Sequence, residues 1–122
     1  MANDFKRQTF AANNYILKAG ETSDSAYLIL DGKVEIRMGA MGDEPTTLAV
    51  LGKGDVVGEM SLFDNSPHMA SAIAIEKTVA TTVSATEFLR RVDDMDPLMR
   101  GILKILVKRI REMGVRFSAQ QT

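Results

Sequence analysis

The sequence predicts a mainly β fold, a sandwich or barrel of seven or eight short strands, completed by α-helix towards the C-terminus. Three observations carry this reading. From Thr9 to Val83, short apolar segments are separated by turn residues, with glycine at 20, 32, 39, 42, 52, 54 and 58, a spacing that suits two-sheet architectures. Within one segment Val34 and Ile36 alternate with Lys33, Glu35 and Arg37, the period of a strand with one buried and one wet face. Beyond Val83 the apolar period becomes helical.

Tyr15-Ile16-Leu17 forms a short strand that ends at Lys18-Ala19-Gly20-Glu21. Ala26 to Leu30 runs into Asp31-Gly32, two residues that tolerate positive φ, so a tight hairpin with Lys33 to Arg37 as its return strand is expected. Met38 to Thr46 holds two glycines, a proline and two acids and reads as a solvent loop. Thr47 to Leu51 is the next strand, and Gly52-Lys53-Gly54-Asp55 turns the chain into Val56-Val57. After a distinct segment at 58–71, Ala72 to Ile75 and Ala80 to Val83 close the sheets. A short helix is expected at 86–93, with Ser84 or Ala85 at its cap. A longer one is expected at 96–113, opened by Asp96 at the N-cap and Pro97 at N1. Its core stripe would be Met99, Leu103, Leu106, Ile110 and Met113, flanked by Ile102 and Ile105, with Arg100, Lys104, Lys108 and Arg111 opposite. Phe117 to Thr122 carry no pattern and are expected to fray.

The 122 residues suffice for one domain, 1–122, with its own core. The absence of cysteine excludes disulfides, thiolate metal sites and cysteine nucleophiles and weakly indicates a reducing compartment. The N-terminal residues lack an apolar signal core, and no apolar run approaches the roughly 18 to 20 residues that span a bilayer, so a soluble, cytoplasmic protein is expected. With one histidine, His68, no multi-histidine metal site can be assembled. No Ser/His/Asp set, phosphate-loop signature or metal motif appears, so no enzyme is expected. The net charge of −1 hides an excess of five positive charges from Arg100 onward, which reads either as a surface for anionic partners or as a solvated helix face.

The segment at 58–71, Gly-Glu-Met-Ser-Leu-Phe-Asp-Asn-Ser-Pro-His-Met-Ala-Ser, opens with a glycine and a carboxylate. A proline sets up its exit, and small residues lead into the next strand. It resembles the phosphate-binding cassette of the cyclic nucleotide-binding domain family. Two further passages, Ala19 to Ile36 and Leu51 to Glu59, extend that resemblance over nearly the whole chain. The resemblance implies a β-roll, a jelly-roll-like double-sheeted barrel of about eight strands over 9–83, with a short cassette helix and two C-terminal helices.

It also implies a ligand site at Gly58, Glu59, Met60, Ser61, His68, Met69 and Ala70, with no catalytic residue, metal or cofactor. Gly58 and Glu59 would hold the ribose hydroxyl, and the amides of Ser61 and Met69 would face the cyclic phosphate, which a short helix N-terminus favours. A second reading of Glu59 is a carboxylate that caps the turn. The family places an arginine where this chain has His68. An arginine offers a permanent charge and a bidentate fork, whereas a neutral imidazole offers one N–H. Two readings follow: a pocket that has lost its ligand, or a working one in which phosphate favours protonated His68 and binding strengthens at acidic pH. Met69 lacks the hydroxyl with which family members contact guanine, so cAMP is expected ahead of cGMP. The resemblance further implies C-terminal helices that move with ligand and pair with a second protomer or another protein. With Gly114 to Thr122 alone following the long helix, no room for a DNA-reading helix and no direct DNA binding are expected.

Overall fold

The computed structural model describes residues 5–38, 46–62 and 67–121, the side chains of 111 and 114–121 aside. The chain divides into two compact units, Met1–Phe88 and Leu89–Thr122.

The first unit is a β-roll of two four-stranded antiparallel sheets. Its strands are β1 Lys6–Phe10, β2 Tyr15–Leu17, β3 Ser25–Asp31, β4 Val34–Met38, β5 Thr46–Leu51, β6 Val56–Val57, β7 Ser71–Ala74 and β8 Thr78–Ser84. One sheet has the order β1-β8-β3-β6 and the other β2-β7-β4-β5. Phe10, Ile16, Leu17, Ile29, Val34, Val57, Ala72, Ala74 and Ala80 form the core, and Tyr27, Ile36 and Leu51 pack against it. Phe10 and Tyr27 meet edge to face at 5.7 Å. Val34 is fully buried, whereas Glu35 accepts a hydrogen bond from Arg37 Nε at 2.9 Å and another from the Thr47 hydroxyl. The alternation read in that strand therefore separates core from rim as expected.

Two expectations are corrected. Asp31-Gly32 does not close a hairpin: β3 and β4 lie in different sheets. The reason is edge occupancy. β3 pairs with β8 along one edge and with β6 along the other, a pairing prolonged by Ile29 N to Asp55 O and Gly54 N to Ile29 O, both 2.9 Å. β4 is likewise taken by β5 and β7. Gly32, at φ +111, is instead a corner between the sheets, where Thr78 Oγ1 lies 2.9 Å from Glu76 O and 3.2 Å from Lys33 O. Secondly, Lys6–Phe10 is a strand that the sequence pattern did not mark before Thr9. Its residues are exposed except Phe10, and it is held by its pairing with β8, so no apolar periodicity announces it. Of the expected loop at 38–46, Met38 and Thr46 are strand ends, and the rest lies outside the described residues.

The 52–55 turn is closed by Asp55, whose carboxylate accepts from Gly52 N at 2.8 Å while its own N–H donates to Gly52 O at 3.0 Å. The first helix, α1, spans Ala85–Asp93, and Ser84 Oγ accepts from Glu87 N at 3.3 Å as its cap.

In the second unit, α2 spans Pro97–Gln121. Asp96 Oδ1 accepts from Leu98 N at 2.9 Å and Met99 N at 3.3 Å, the expected N-cap. The helix runs past residue 113 to 121 instead of fraying from 117: a single Gly114 costs about 1 kcal/mol of helix propensity, too little to end a hydrogen-bonded ladder, and no proline follows it. The expected core stripe is also corrected. Met99, Leu106, Ile110 and Met113 are exposed, and among the described residues the buried apolar residue of α2 is Val107. Helical periodicity identifies an apolar face but not what covers it. Among the described residues no helix is long and apolar enough to cross a membrane.

Candidate functional site

The cassette starts where β6 leaves the sheet. Gly58 adopts φ +75, and a side chain built there would lie 2.8 Å from Leu17 Cδ1, so the backbone is drawn against β2 at a point that only glycine fills without strain. Glu59–Leu62 then forms one 3-10 turn, closed by Ser61 N donating to Gly58 O at 3.0 Å. Ser61 and Leu62 are buried and anchor it. The turn leaves Glu59 exposed, and its carboxylate makes no ion pair or hydrogen bond with a described residue. It therefore caps nothing among them. The amide of Ser61, expected to face a phosphate, is committed to the turn here.

Residues 63–66 lie outside the described residues. At the exit, His68 N donates to Glu21 O at 2.9 Å, Gly20 N donates to His68 O at 2.8 Å, and Ala19 N donates to Ser71 Oγ at 3.0 Å. This short ladder clamps the cassette exit to the turn after β2. The sequence marked Ala19-Gly20-Glu21 as a turn and as part of the family resemblance but not as a partner of His68, because a contact across roughly fifty residues leaves no local signal.

His68 lines a cleft of about 280 Å³ together with Leu17, Lys18, Glu21, Thr22 and Tyr27. Gly58, Glu59, Met60, Ser61, Met69 and Ala70 do not line it. Leu17 stands between the two places, lining the cleft and facing Gly58. The expected site residues thus fall into two groups: Gly58 to Ser61 at the entry turn, and His68 at the clamped exit, where it lines the cleft. Met69 is exposed and Ala70 partly so. His68 Nε2 is buried and has no hydrogen-bond partner among the described residues. The Lys18 ammonium sits 5.5 Å from the centre of the Tyr15 ring. Burial, and then the nearby Asp24 carboxylate, pushes the Tyr27 phenol above its ordinary value.

A double-sheeted roll interrupted by a glycine-carboxylate turn, with its exit clamped against the β2 turn, defines a β-roll with a cassette between its sixth and seventh strands. Residues 7–94 match the family described as the cyclic nucleotide-binding domain, and the chain belongs to that family. It is 31% identical over 108 residues to the cyclic AMP receptor protein of Thermus thermophilus, covering 88% of this chain and 50% of that one. It is 28% identical over 102 residues to a CRP-like cAMP-activated global transcriptional regulator of Mycobacterium tuberculosis, covering 84% of this chain and 46% of the relative. The chain therefore spans about half the length of these curated relatives. Among solved structures, the half-site-occupied form of the EAL enzyme Bd1971 superposes with a TM-score of 0.80 at 30% identity, covering 90% of this chain and 98% of that one. The Thermus thermophilus catabolite activator protein gives 0.75 at 28% identity, covering 96% and 55%.

Proposed function

We propose that this chain is a non-enzymatic regulatory module that binds a cyclic nucleotide, cAMP ahead of cGMP, and passes the bound state on through its C-terminal helices. The observation that carries this is Glu59: exposed, unengaged by any described residue, and placed beside Gly58 at the mouth of a short turn. Gly58 and Glu59 take the ribose, with Met60 and Ser61 behind them, and Met69 and Ala70 flank the phosphate. His68 stands where the family places its arginine, and it makes the grip weak. Charge-assisted hydrogen bonds are worth about 1.5–3 kcal/mol each, so replacing a bidentate guanidinium costs about two orders of magnitude in affinity.

Calorimetric titration of cAMP and cGMP at mildly acidic and mildly alkaline pH, with Glu59→Ala and His68→Arg alongside, tests the proposal. Saturable cAMP binding that Glu59→Ala abolishes and His68→Arg tightens supports it. Binding indifferent to Glu59→Ala, or none even in His68→Arg, sinks it.

A second reading is a ligand-independent interaction or dimerisation domain, or the sensor piece of a larger regulator. The exposed Met99, Leu106, Ile110 and Met113 of α2 favour it, since apolar surface of this kind marks interfaces. Sedimentation with and without cAMP separates the two: a dimer indifferent to ligand favours the second.

A further inference from the structure

Where the cassette returns to the roll, its pairing with the β2 turn skips two residues. Ala72 pairs with Leu17 of β2, and Ser71 pairs through its backbone with Arg37 of β4. Ser71 reaches the β2 turn through its side chain instead, its Oγ accepting from Ala19 N at 3.0 Å. The next bonds, Gly20 N to His68 O at 2.8 Å and His68 N to Glu21 O at 2.9 Å, start one residue further along the β2 turn but three residues back along the cassette. Met69 and Ala70 therefore stand outside this pairing, as the extra residues of a bulge do, and a bulge of this kind re-aims the backbone it contains. Its His68 end is held by two backbone bonds, which do not depend on the side chain at that position. Its Ser71 end is tied to the β2 turn by a hydroxyl, so there the amino-acid type decides whether the tie exists.

We infer that Ser71 is a positioning residue for the cassette: by holding Ala19 it fixes one end of the bulge and sets the backbone of Met69 and Ala70 before a ligand arrives. The role rests on the cyclic nucleotide reading, in which those two residues flank the phosphate. Ser71 acts through them and needs no contact with the ligand. A cassette exit that is ordered in advance spares the ligand the cost of ordering it, and one that is correctly formed for only part of the time lowers the apparent affinity by that fraction.

The test is calorimetric titration of cAMP into the chain and into His68→Arg, each with Ser71→Ala, Ser71→Thr or Gln8→Ala added. Gln8→Ala is the matched control: it removes the Thr82 Oγ1 to Gln8 Oε1 bond of 3.2 Å, another exposed side-chain bond between distant residues, in the sheet that does not contain β7. Ser71→Ala should weaken cAMP binding about two- to tenfold, the range that one ordinary hydrogen bond sets. Ser71→Thr keeps the hydroxyl and should stay within about twofold of its parent, and Gln8→Ala should leave affinity unchanged. Unchanged affinity in Ser71→Ala, an equal loss in Gln8→Ala, or no recovery in Ser71→Thr overturns the role. Amide hydrogen exchange without nucleotide is the second readout. The Gly20 and His68 amides should exchange faster in Ser71→Ala alone, while the Gly54 amide, bonded to Ile29 O at 2.9 Å, should not respond; the same exchange in every variant also overturns the role. If no variant binds cAMP, those carrying His68→Arg included, the nucleotide reading fails, and the exchange readout still decides whether Ser71 holds the cassette exit.

Discussion

Gly32→Ala should be the most destabilising substitution among the described glycines of the roll. A methyl built on Gly32 lies 2.4 Å from Thr78 Oγ1, 2.6 Å from Thr78 Cα and 2.7 Å from Lys77 O, so two of its three contacts are backbone and cannot swing aside. Gly54 provides the control: it also has positive φ, +91, but nothing within 4 Å of the added carbon. Positive φ costs an L-residue about 1–2 kcal/mol, overpacking a tight site adds about 1–3 kcal/mol, and the lost freedom of the unfolded chain returns about 0.4–1 kcal/mol. Gly54→Ala should therefore cost about 1 kcal/mol and Gly32→Ala about 3 kcal/mol. Gly58→Ala should fall between, because its near contact is the terminal Leu17 Cδ1 at 2.8 Å, which can rotate. Urea unfolding followed by tyrosine fluorescence reads this cleanly: the chain has no tryptophan and two tyrosines, Tyr15 and Tyr27, both in the first unit. With a urea slope of about 1.5 kcal/mol/M, the midpoint should fall by about 2 M in Gly32→Ala and about 0.7 M in Gly54→Ala. Midpoints of the two variants within about 0.3 M of each other would refute the corner geometry assigned to Gly32.

Three further outcomes are expected. The Tyr27 phenol is raised by burial and then by Asp24, so the folded state holds its proton longer. The stability this contributes is complete below the unfolded value near pH 10 and lost as pH rises through the folded value. Tyr27→Phe should flatten the alkaline limb of a stability–pH profile, and an unchanged limb would count against the burial. Glu35 is held below the ordinary carboxylate range chiefly by the Arg37 hydrogen bond and then by Thr47. Its contribution is therefore present above the unfolded value and lost as pH falls through the folded one, and Glu35→Gln should flatten the acid limb. Asp96→Ala removes the acceptor of two amide hydrogen bonds and should cost about 0.5–2 kcal/mol, seen as earlier loss of far-UV circular dichroism on heating.

The sequence by itself determined the local chemistry. The strand at Val34–Met38 is legible because Val34 and Ile36 alternate with charge. Asp96 announces a helix start because its carboxylate serves the next turn's own amides, and Gly58 announces the cassette turn because its carbonyl accepts from Ser61 N within that turn. All of these act between near neighbours along the chain. The tertiary structure decided the rest. Asp31-Gly32 reads as a hairpin, yet β8 and β6 occupy both edges of β3, so the same turn becomes a corner. Lys6–Phe10 becomes a strand because β8 offers it an edge. His68 follows Pro67 in the cassette, but the clamp to Gly20 and Glu21 holds it beside a cleft that Glu59 does not line. Hydrophobic period and turn chemistry set which faces a segment can bury. Which edge pairs with which, and which turn holds His68, depend on contacts between residues tens of positions apart, for which a single sequence carries no local signal.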